Sequence, residues 1–205
     1  MTMTNIATSS TISRPDFAAI ATLVKPGAKV LDLGCGDGSL LRYLRGVRDV
    51  HGYGVEIDDA NIQECFNNGI NVIQSDLESG LSSFESGSFD YVILSQTLQA
   101  MKHTEGIIKE MMRVSKEGIV SFPNFGYWKN RLQVICGYMP VSEPLPYQWF
   151  DTPNIHLCTL VDFERFCRQH GVRILERRIM NGDQQISFAP NFFGMLAFYR
   201  FERQK

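Results

Sequence analysis

The sequence offers little chemistry for disulfide bonds or for a metal site. Its five cysteines are odd in number and scattered, and none belongs to a CxxC pair. Cys167 and His170 share a face of a predicted helix, but two ligands without a carboxylate or a second pair are too few to hold a metal ion. We therefore predict free thiols, a reducing cytoplasmic location and no bound metal.

Long apolar runs and an excess of one charge are also lacking. No window approaches the roughly eighteen apolar residues of a membrane span. The formal net charge is −2 without a long run of Lys or Arg, which argues against a nucleic-acid or membrane surface. Residues 1–13 are rich in Ser and Thr and lack the features of a signal peptide. We predict a disordered leader there and a single α/β domain over residues 14–205.

The most informative stretch is VLDLGCGDG, residues 30–38. Its apolar residues predict a buried strand, and Asp32 stands near the end of that strand, where a carboxylate can face the crevice at the carboxyl edge of a sheet. Gly34 and Gly36, with Cys35 between them, allow a sharp turn and a close approach of the backbone to a ligand. The stretch therefore predicts a turn that binds a nucleotide-like cofactor.

The spacing of the glycines favours one class of cofactor. A dinucleotide-binding turn has the pattern G-x-G-x-x-G or A, with the pyrophosphate at the N-terminus of the next helix. Here Gly38 comes one position early, and the charge of Asp37 within the turn would repel a pyrophosphate. Together with Asp32, Asp37 suits a ligand with positive charge, such as S-adenosylmethionine. A nicotinamide-dependent oxidoreductase and a tight turn without any ligand are the less favoured alternatives.

The second and third predicted strands also end at acidic residues. Glu56 follows the glycine turn at the interval of about twenty residues that suits hydrogen bonds from ribose hydroxyls, although a solvated loop carboxylate is the alternative. Ile57 would offer an apolar surface to adenine. The Asp76 carboxylate and the Leu77 backbone N–H would match the amine and the ring nitrogen of adenine, although Asp76 could instead cap the next segment. The backbones of Ser95 and Gln96, after the fourth strand, would line the methionine side.

Alternating elements predict a parallel sheet that is covered on both faces by helices. The predicted strands cover residues 28–33, 52–56, 70–74, 89–94, 117–122, 172–180 and 192–201. The predicted helices cover residues 16–23, 38–46, 59–68, 103–115 and 160–170.

Residues 123–155 form a long insertion after the fifth strand, rich in aromatic residues and interrupted by prolines outside a helical segment at 128–136. A long loop of this kind is typically a lid or a binding loop, and this one would overhang the crevice. The alternatives are a cap that buries its own aromatic side chains and a surface that binds a protein. His156, just beyond the insertion, is the candidate general base, with a structural hydrogen-bonding role as the alternative.

These motifs resemble those of class I S-adenosylmethionine-dependent methyltransferases, which share the DxGxGxG turn, the acid closing the second strand and the SD pair after the third. Two longer strings, VSFPNFGYW at 120–128 and LPYQWFDTPNIHLCT at 145–159, resemble the MetW family of bacterial methionine-biosynthesis proteins. The resemblance extends from about residue 14 to residue 178. It implies a Rossmann-like fold with a seven-stranded, mostly parallel sheet whose last strand is antiparallel.

The resemblance leaves two functions open. It implies S-adenosylmethionine or S-adenosylhomocysteine as the cofactor, and a homoserine O-acyltransferase as the partner that the protein supports in methionine biosynthesis. The alternative is an active methyltransferase that acts on an unidentified small metabolite. The fourth strand runs into LSQTLQ and lacks the Asn/Asp-Pro-Pro-aromatic string of many nucleic-acid methyltransferases, so we expect no nucleic-acid substrate.

Overall fold

The computed structural model describes residues 14–204, so the predicted disordered leader lies outside the described residues. The strands are β1 (Lys29–Leu33), β2 (His51–Glu56), β3 (Val72–Gln74), β4 (Phe89–Ser95), β5 (Ser115–Pro123), β6 (Val172–Asn181), β7 (Gln184–Gln185) and β8 (Leu196–Arg203). The α-helices are α1 (Pro15–Leu23), α2 (Ser39–Arg48), α3 (Asp59–Asn67), α4 (Thr104–Val114), α5 (Trp128–Ile135), α6 (Leu160–Gln169) and α7 (Pro190–Phe193). Short 3₁₀ turns occur at Leu77–Ser79 and Leu98–Ala100.

One mixed sheet has the strand order β3-β2-β1-β4-β5-β8-β6-β7. Strands β1 to β5 pair in parallel, whereas β8 runs antiparallel to both β5 and β6. This confirms the predicted Rossmann-like α/β fold with an antiparallel last strand. The predicted number of strands is too low by one, because a turn with Gly182 at a φ of +56° lets the two-residue β7 pair with the end of β6.

Most strand boundaries differ from the prediction by one or two residues, and the start of the last strand differs by four. The last strand begins at Leu196, because Pro190 starts the short helix α7 after Ala189, which adopts a φ of +41°. A proline in the first turn of a helix loses no intrahelical hydrogen bond, so this position suits it. Strand β3 begins at Val72, because Ile70 still donates its backbone N–H to the end of α3.

Apolar side chains form one core on each face of the sheet. On one face, Phe122 of β5 packs against Phe163 of α6 and stacks on Tyr199 of β8 at a centroid distance of 5.8 Å. On the other face, Ile20 of α1 and Leu44 of α2 are fully buried. None of the helices in residues 14–204 combines the length and the apolar character that crossing a bilayer requires.

The carboxyl ends of the parallel strands meet at one edge of the sheet. The chain leaves β1 on one side and reaches β4 on the other, so the direction of strand order changes between these two strands. In open α/β sheets, ligands bind in the crevice at such a switch point. The fold therefore brings the ends of β1, β2 and β4 to the place where a cofactor site is expected.

The insertion is fixed at its start by Asn124, which is only 1% exposed. Its Nδ2 donates to the carbonyl of Gly194 at 2.8 Å and to that of Asn191 at 3.2 Å. Its Oδ1 accepts from the Gly126 N–H at 3.0 Å. One buried amide thus joins the end of β5 to the segment that precedes β8.

The other end of the insertion is fixed by the Gln99 carbonyl, which accepts from the N–H groups of Ile155 and His156 at 2.8 and 2.9 Å. Between the two fixed ends, large apolar side chains are exposed: Leu132, Val134, Ile135, Tyr138, Met139, Tyr147, Trp149 and Phe150. These side chains are not buried over the sheet, so the alternative of a self-packing aromatic cap does not describe them.

We expect Asn124→Ala to lower the free energy of unfolding by about 2–4 kcal/mol, because it leaves buried backbone groups without partners. Urea unfolding followed by circular dichroism measures this change. The matched control is Asn67→Ala, an exposed helical position, where the expected change is below about 0.5 kcal/mol. Equal stability of the two variants would contradict the role assigned to Asn124.

Candidate cofactor site

The glycine turn, residues 34–38, joins β1 to α2 at the switch point. Gly34 and Gly36 have φ values of +66° and +55°, which L side chains rarely adopt. A Cβ on Gly34 would lie 3.0 Å from the Thr97 Oγ1, whereas a Cβ on Gly36 would meet no other described residue within 4 Å. The backbone of Gly36 therefore faces open space, where a ligand can approach it closely.

Glu56, at the end of β2, ties the glycine turn to the sheet. Its carboxylate is buried and accepts three backbone hydrogen bonds, from Gly36 N at 2.9 Å, Ile57 N at 2.9 Å and Asp58 N at 3.0 Å. A carboxylate has about four lone-pair sites, so about one remains for a ribose hydroxyl. The sequence reasoning missed this positioning role, and the ribose contact stays a prediction.

Asp32 is the second buried carboxylate of the crevice, with 2% of its surface exposed. Burial, and then the charge of Glu56, raises the pKa of Asp32 to about 8. Among the described residues, no hydrogen bond to the Asp32 carboxylate offsets these two effects. A cationic group next to Asp32 would do so by stabilising the ionised carboxylate.

Cys35 turns its side chain away from the open face of the turn. The thiol is buried, and its Sγ lies 3.7 Å from the Sγ of Cys65 on α3. A Cβ on Gly54 would overlap the Cys35 sulfur, so this glycine makes room for it. Burial raises the pKa of the Cys35 thiol well above its ordinary value. The Cys35 side chain therefore packs in the core, and only its backbone adjoins the turn.

Asp37 occupies the start of α2. Its carboxylate accepts from Ser39 N at 3.0 Å and from Ser39 Oγ at 2.6 Å. Partial burial alone would raise the pKa of Asp37, but these hydrogen bonds and the charges of Arg14 and Arg42 hold it below its ordinary value. A negative charge thus stands where a dinucleotide pyrophosphate would bind, which agrees with the preference for a cationic ligand.

Ile57, Asp76 and Leu77 lie on neighbouring strand ends, because β2 and β3 pair in parallel. Ile57 is 58% exposed, as an adenine-contacting surface requires. The Asp76 carboxylate accepts from the Glu78 N–H at 2.9 Å, so it caps the 3₁₀ turn Leu77–Ser79. Capping was the alternative role considered for Asp76 from the sequence. Contacts of these three residues with adenine stay predictions.

Ser95 ends β4, and its Oγ lies 3.0 Å from the Ser121 Oγ. Gln96, which follows, adopts a φ of +51° and donates its N–H to the Ser121 carbonyl at 2.9 Å. Its side-chain Nε2 lies 3.4 Å from the Oδ2 of Asp16, an acid of α1 that is 8% exposed. The sequence reasoning named the backbone of Gln96 but missed its positive φ and its contact with Asp16, because no spacing links residues on distant elements and Gln has no special preference for positive φ.

His156 is exposed, and its Nε2 lies 3.5 Å from the Lys102 carbonyl. In the described part of the chain, none of its hydrogen bonds joins it to Asp32, Glu56 or the glycine turn. Its contacts therefore fit the structural alternative, and its role as a general base stays a prediction.

The cysteines and histidines form no metal centre where the structure describes them. Over residues 14–204, no three His, Cys, Asp or Glu side chains come close enough together to hold a metal ion. Cys167 is buried in the core, and the His170 ring packs on Phe166 at a centroid distance of 4.3 Å. Cys167, within α6, and His170, at the C-terminal cap of α6, therefore contribute to packing.

The raised pKa of Asp32 predicts how stability depends on pH. The folded protein keeps a proton on Asp32 up to about pH 8, whereas the unfolded chain loses it near the ordinary value of 3.8. The stability that this proton contributes is therefore full below about pH 4 and is lost as the pH rises towards 8. We expect Asp32→Asn to be more stable than the wild type at pH 8 by about 1–3 kcal/mol, with a smaller difference at pH 5.

Urea unfolding at pH 5, 6.5 and 8 measures this difference. Asp183→Asn, at an exposed turn position, serves as the control and should follow the wild-type pH profile. Identical profiles for the wild type and Asp32→Asn would contradict the assignment.

Solved structures of low sequence identity share this fold. A putative S-adenosylmethionine dependent methyltransferase from Listeria monocytogenes has a TM-score of 0.68 at 13% identity, covering 93% of this chain and 99% of its own. An S-adenosylmethionine dependent methyltransferase from Mesorhizobium loti has a TM-score of 0.68 at 14% identity, with the same coverage of 93% and 99%. These likenesses establish the Rossmann-like methyltransferase fold.

Sequence comparison gives closer relatives. The chain is 34% identical over 186 residues to the bifunctional methionine biosynthesis protein MetXA/MetW of Rhodopirellula baltica, covering 86% of this chain and 30% of that protein. It is 29% identical over 103 residues to the sterol 24-C-methyltransferase erg6 of Schizosaccharomyces pombe, covering 46% of this chain and 27% of that protein. The chain thus spans less than a third of the length of either relative. Because the family model described as "Methionine biosynthesis protein MetW" matches residues 14–201, this chain belongs to the MetW family.

Proposed function

We propose that this chain binds S-adenosylmethionine at the glycine turn and acts in methionine biosynthesis as an accessory protein of homoserine O-acyltransferase. The observation that carries the cofactor proposal is Asp32, a buried carboxylate without a compensating hydrogen bond in the described chain, on the strand that leads into the glycine turn. The partner proposal is supported by membership of the MetW family and by the relative whose name joins MetXA to MetW.

The residues of the crevice fit this cofactor in charge and in shape. Asp32 offers a negative charge to the α-ammonium or the sulfonium group, and the Gly36 backbone leaves room for a close approach. The remaining lone-pair site of Glu56 suits a ribose hydroxyl, and exposed Ile57 suits adenine. The other proposed contacts are the backbones of Gly34, Cys35, Leu77 and Ser95 and the carboxylate of Asp76.

The contacts of the candidate base favour binding over turnover. When bound, S-adenosylmethionine supplies an electrophilic methyl group, and transfer to an acceptor with a proton needs a base within hydrogen-bond reach. His156 instead faces Lys102 and hydrogen-bonds through its backbone to Gln99. Methyl transfer to a small metabolite therefore remains the second candidate function.

The insertion supplies a surface for the protein partner. Ile135, Trp149 and Phe150 are 81%, 72% and 70% exposed, and the rings of Trp149 and Phe150 pack edge to face at 5.6 Å. Exposed apolar groups of this size mark interaction sites, and aromatic residues dominate the energy of many interfaces. We place the acyltransferase contact on this surface, which we call the insertion surface.

Titration calorimetry with S-adenosylmethionine tests the cofactor site. At pH 7, binding should release a proton from Asp32, because a cation beside the carboxylate lowers its pKa from about 8. The proton release appears as a difference in binding enthalpy between buffers of different ionisation enthalpy. Asp32→Asn should bind S-adenosylmethionine about 10-fold more weakly, which corresponds to a loss of ~1.4 kcal/mol in binding free energy. This variant should release no proton at this site.

Asp183→Asn is the matched control and should bind as the wild type does. Unchanged affinity in a folded Asp32→Asn variant would remove Asp32 from the cofactor site. No binding of S-adenosylmethionine or S-adenosylhomocysteine to the wild type would overturn the cofactor proposal itself.

Association with the homoserine O-acyltransferase of the same organism tests the partner proposal. The double variant Trp149→Ala, Phe150→Ala should bind the acyltransferase at least about 10-fold more weakly, because truncated aromatic hot spots cost more than ~1 kcal/mol each. Sedimentation velocity measures the complex. Phe66→Ala, on the exposed side of α3, is the matched aromatic control.

Cofactor affinity should be unchanged in the double variant, which separates a docking defect from a folding defect. A wild-type protein that does not associate with the acyltransferase, or that forms S-adenosylhomocysteine from a small metabolite without it, would favour the methyltransferase alternative.

A further inference from the structure

A cavity of about 310 Å³ lies beside the proposed cofactor crevice and contains none of its residues. It is bounded by the 3₁₀ turn Leu98–Ala100, the start of α4, the end of β5, helix α6, Leu145 of the insertion and residues 156–158 just after the insertion. Its walls are mainly apolar and include Leu98, Phe122, Leu145, Phe163 and Phe166. The volume falls at the lower end of the range of ~300–1,000 Å³ for small-molecule pockets.

Two polar atoms in the wall of this cavity are buried without a hydrogen-bond partner in the described chain. They are Gln99 Oε1 and Thr104 Oγ1. The Gln99 Nε2 donates to the Gln96 carbonyl at 2.6 Å, so the amide orientation is fixed and its oxygen is the free end. Buried polar groups without partners are costly and rare in native proteins. A ligand that donates to Gln99 and pairs with the Thr104 hydroxyl would remove this cost.

The groups around the cavity favour a neutral ligand. Burial, with a smaller effect of Asp162, raises the pKa of the Cys158 thiol to about 12, so this wall group is uncharged at neutral pH. The Asp162 carboxylate is already held by Thr159, through the backbone N–H at 3.1 Å and the Oγ1 at 2.7 Å. A ligand carboxylate would therefore meet a mainly apolar wall and an acid. The one basic side chain among the lining residues is His156, whose Nε2 lies against the Lys102 carbonyl at 3.5 Å.

We propose that this cavity is a second ligand site, which takes a small neutral molecule with an apolar body and one amide N–H or hydroxyl group. The apolar body fills the space between β5 and α6. The polar end donates a hydrogen bond to Gln99 Oε1. It forms a second hydrogen bond with the Thr104 hydroxyl, which can act as donor or acceptor. This site is independent of the cofactor proposal, since none of its residues belongs to the crevice.

Three aromatic probes of similar shape test this proposal: phenylacetamide, ethylbenzene and phenylacetate. Protein NMR titrations without S-adenosylmethionine report affinity and location together. Phenylacetamide should shift the signals of Gln99 and Thr104 and bind at least about 10-fold more tightly than phenylacetate. Ethylbenzene should enter the same cavity, because it keeps the apolar body and lacks only the donor.

Gln99→Leu and Thr104→Val remove the two unpartnered polar atoms one at a time. Each should weaken phenylacetamide about 5- to 10-fold and leave the affinity for ethylbenzene within about twofold of the wild type. Gln169→Leu, at an exposed position of α6, is the control and should change neither affinity. Thr104→Val keeps the shape of the side chain, so it serves even if Gln99→Leu fails to fold.

Two results would overturn the proposal. One is the absence of shifts at the cavity for both phenylacetamide and ethylbenzene up to their solubility limits. The other is a crystal structure in which only ordered water joins Gln99 and Thr104 at saturating phenylacetamide. Because the titrations contain no S-adenosylmethionine, failure of this site and failure of the cofactor site are separate outcomes.

Discussion

The cofactor crevice depends on the three backbone hydrogen bonds that the Glu56 carboxylate accepts. They fix the glycine turn to the end of β2 and hold a negative charge inside the protein. That charge acts on Asp32, whose own carboxylate is buried without such partners in the described chain. One acid is therefore satisfied by the fold and the other is left for a ligand. We expect this asymmetry to favour a cationic ligand, because a cation beside Asp32 would stabilise its ionised form and lower its pKa.

The asymmetry follows from packing beneath the turn. Strand β2 carries Gly54 opposite Asp32 in the parallel register, and the missing side chain makes room for the Cys35 thiol. With Cys35 seated there, the backbone can turn at positive φ and bring the Gly36 N–H to Glu56. A larger residue at Gly54 would collide with Cys35 and displace the turn. The sequence HGYGVE in β2 thus contributes to the site through a glycine that touches no ligand.

The sequence predicted those parts of the site that a strand end determines. Glu56 and Ser95 each close a parallel strand, so alternating elements and the glycine turn were sufficient to bring them to one edge. Side-chain partners of residues outside the motifs could not be predicted in this way. The positive φ of Gln96 and the unpartnered Gln99 oxygen occur where β4, α4 and the insertion pack together. The hydrophobic periodicity of the sequence does not predict such tertiary contacts. The two-residue β7 was missed because a strand that short has no pattern of its own.

The segment after β4 is the element that the crevice, the cavity and the insertion share. Ser95 and Gln96 pair with Ser121 at the crevice, and the Gln99 side chain lines the cavity. The Gln99 carbonyl also holds the end of the insertion, through the N–H groups of residues 155 and 156. Coupling between two sites requires one element whose arrangement both can bias. In our proposal the cofactor would contact Ser95, and the Gln99 carbonyl holds residues 155 and 156 at the end of the insertion, so we expect residues 95–99 to be the segment through which cofactor occupancy would change partner affinity.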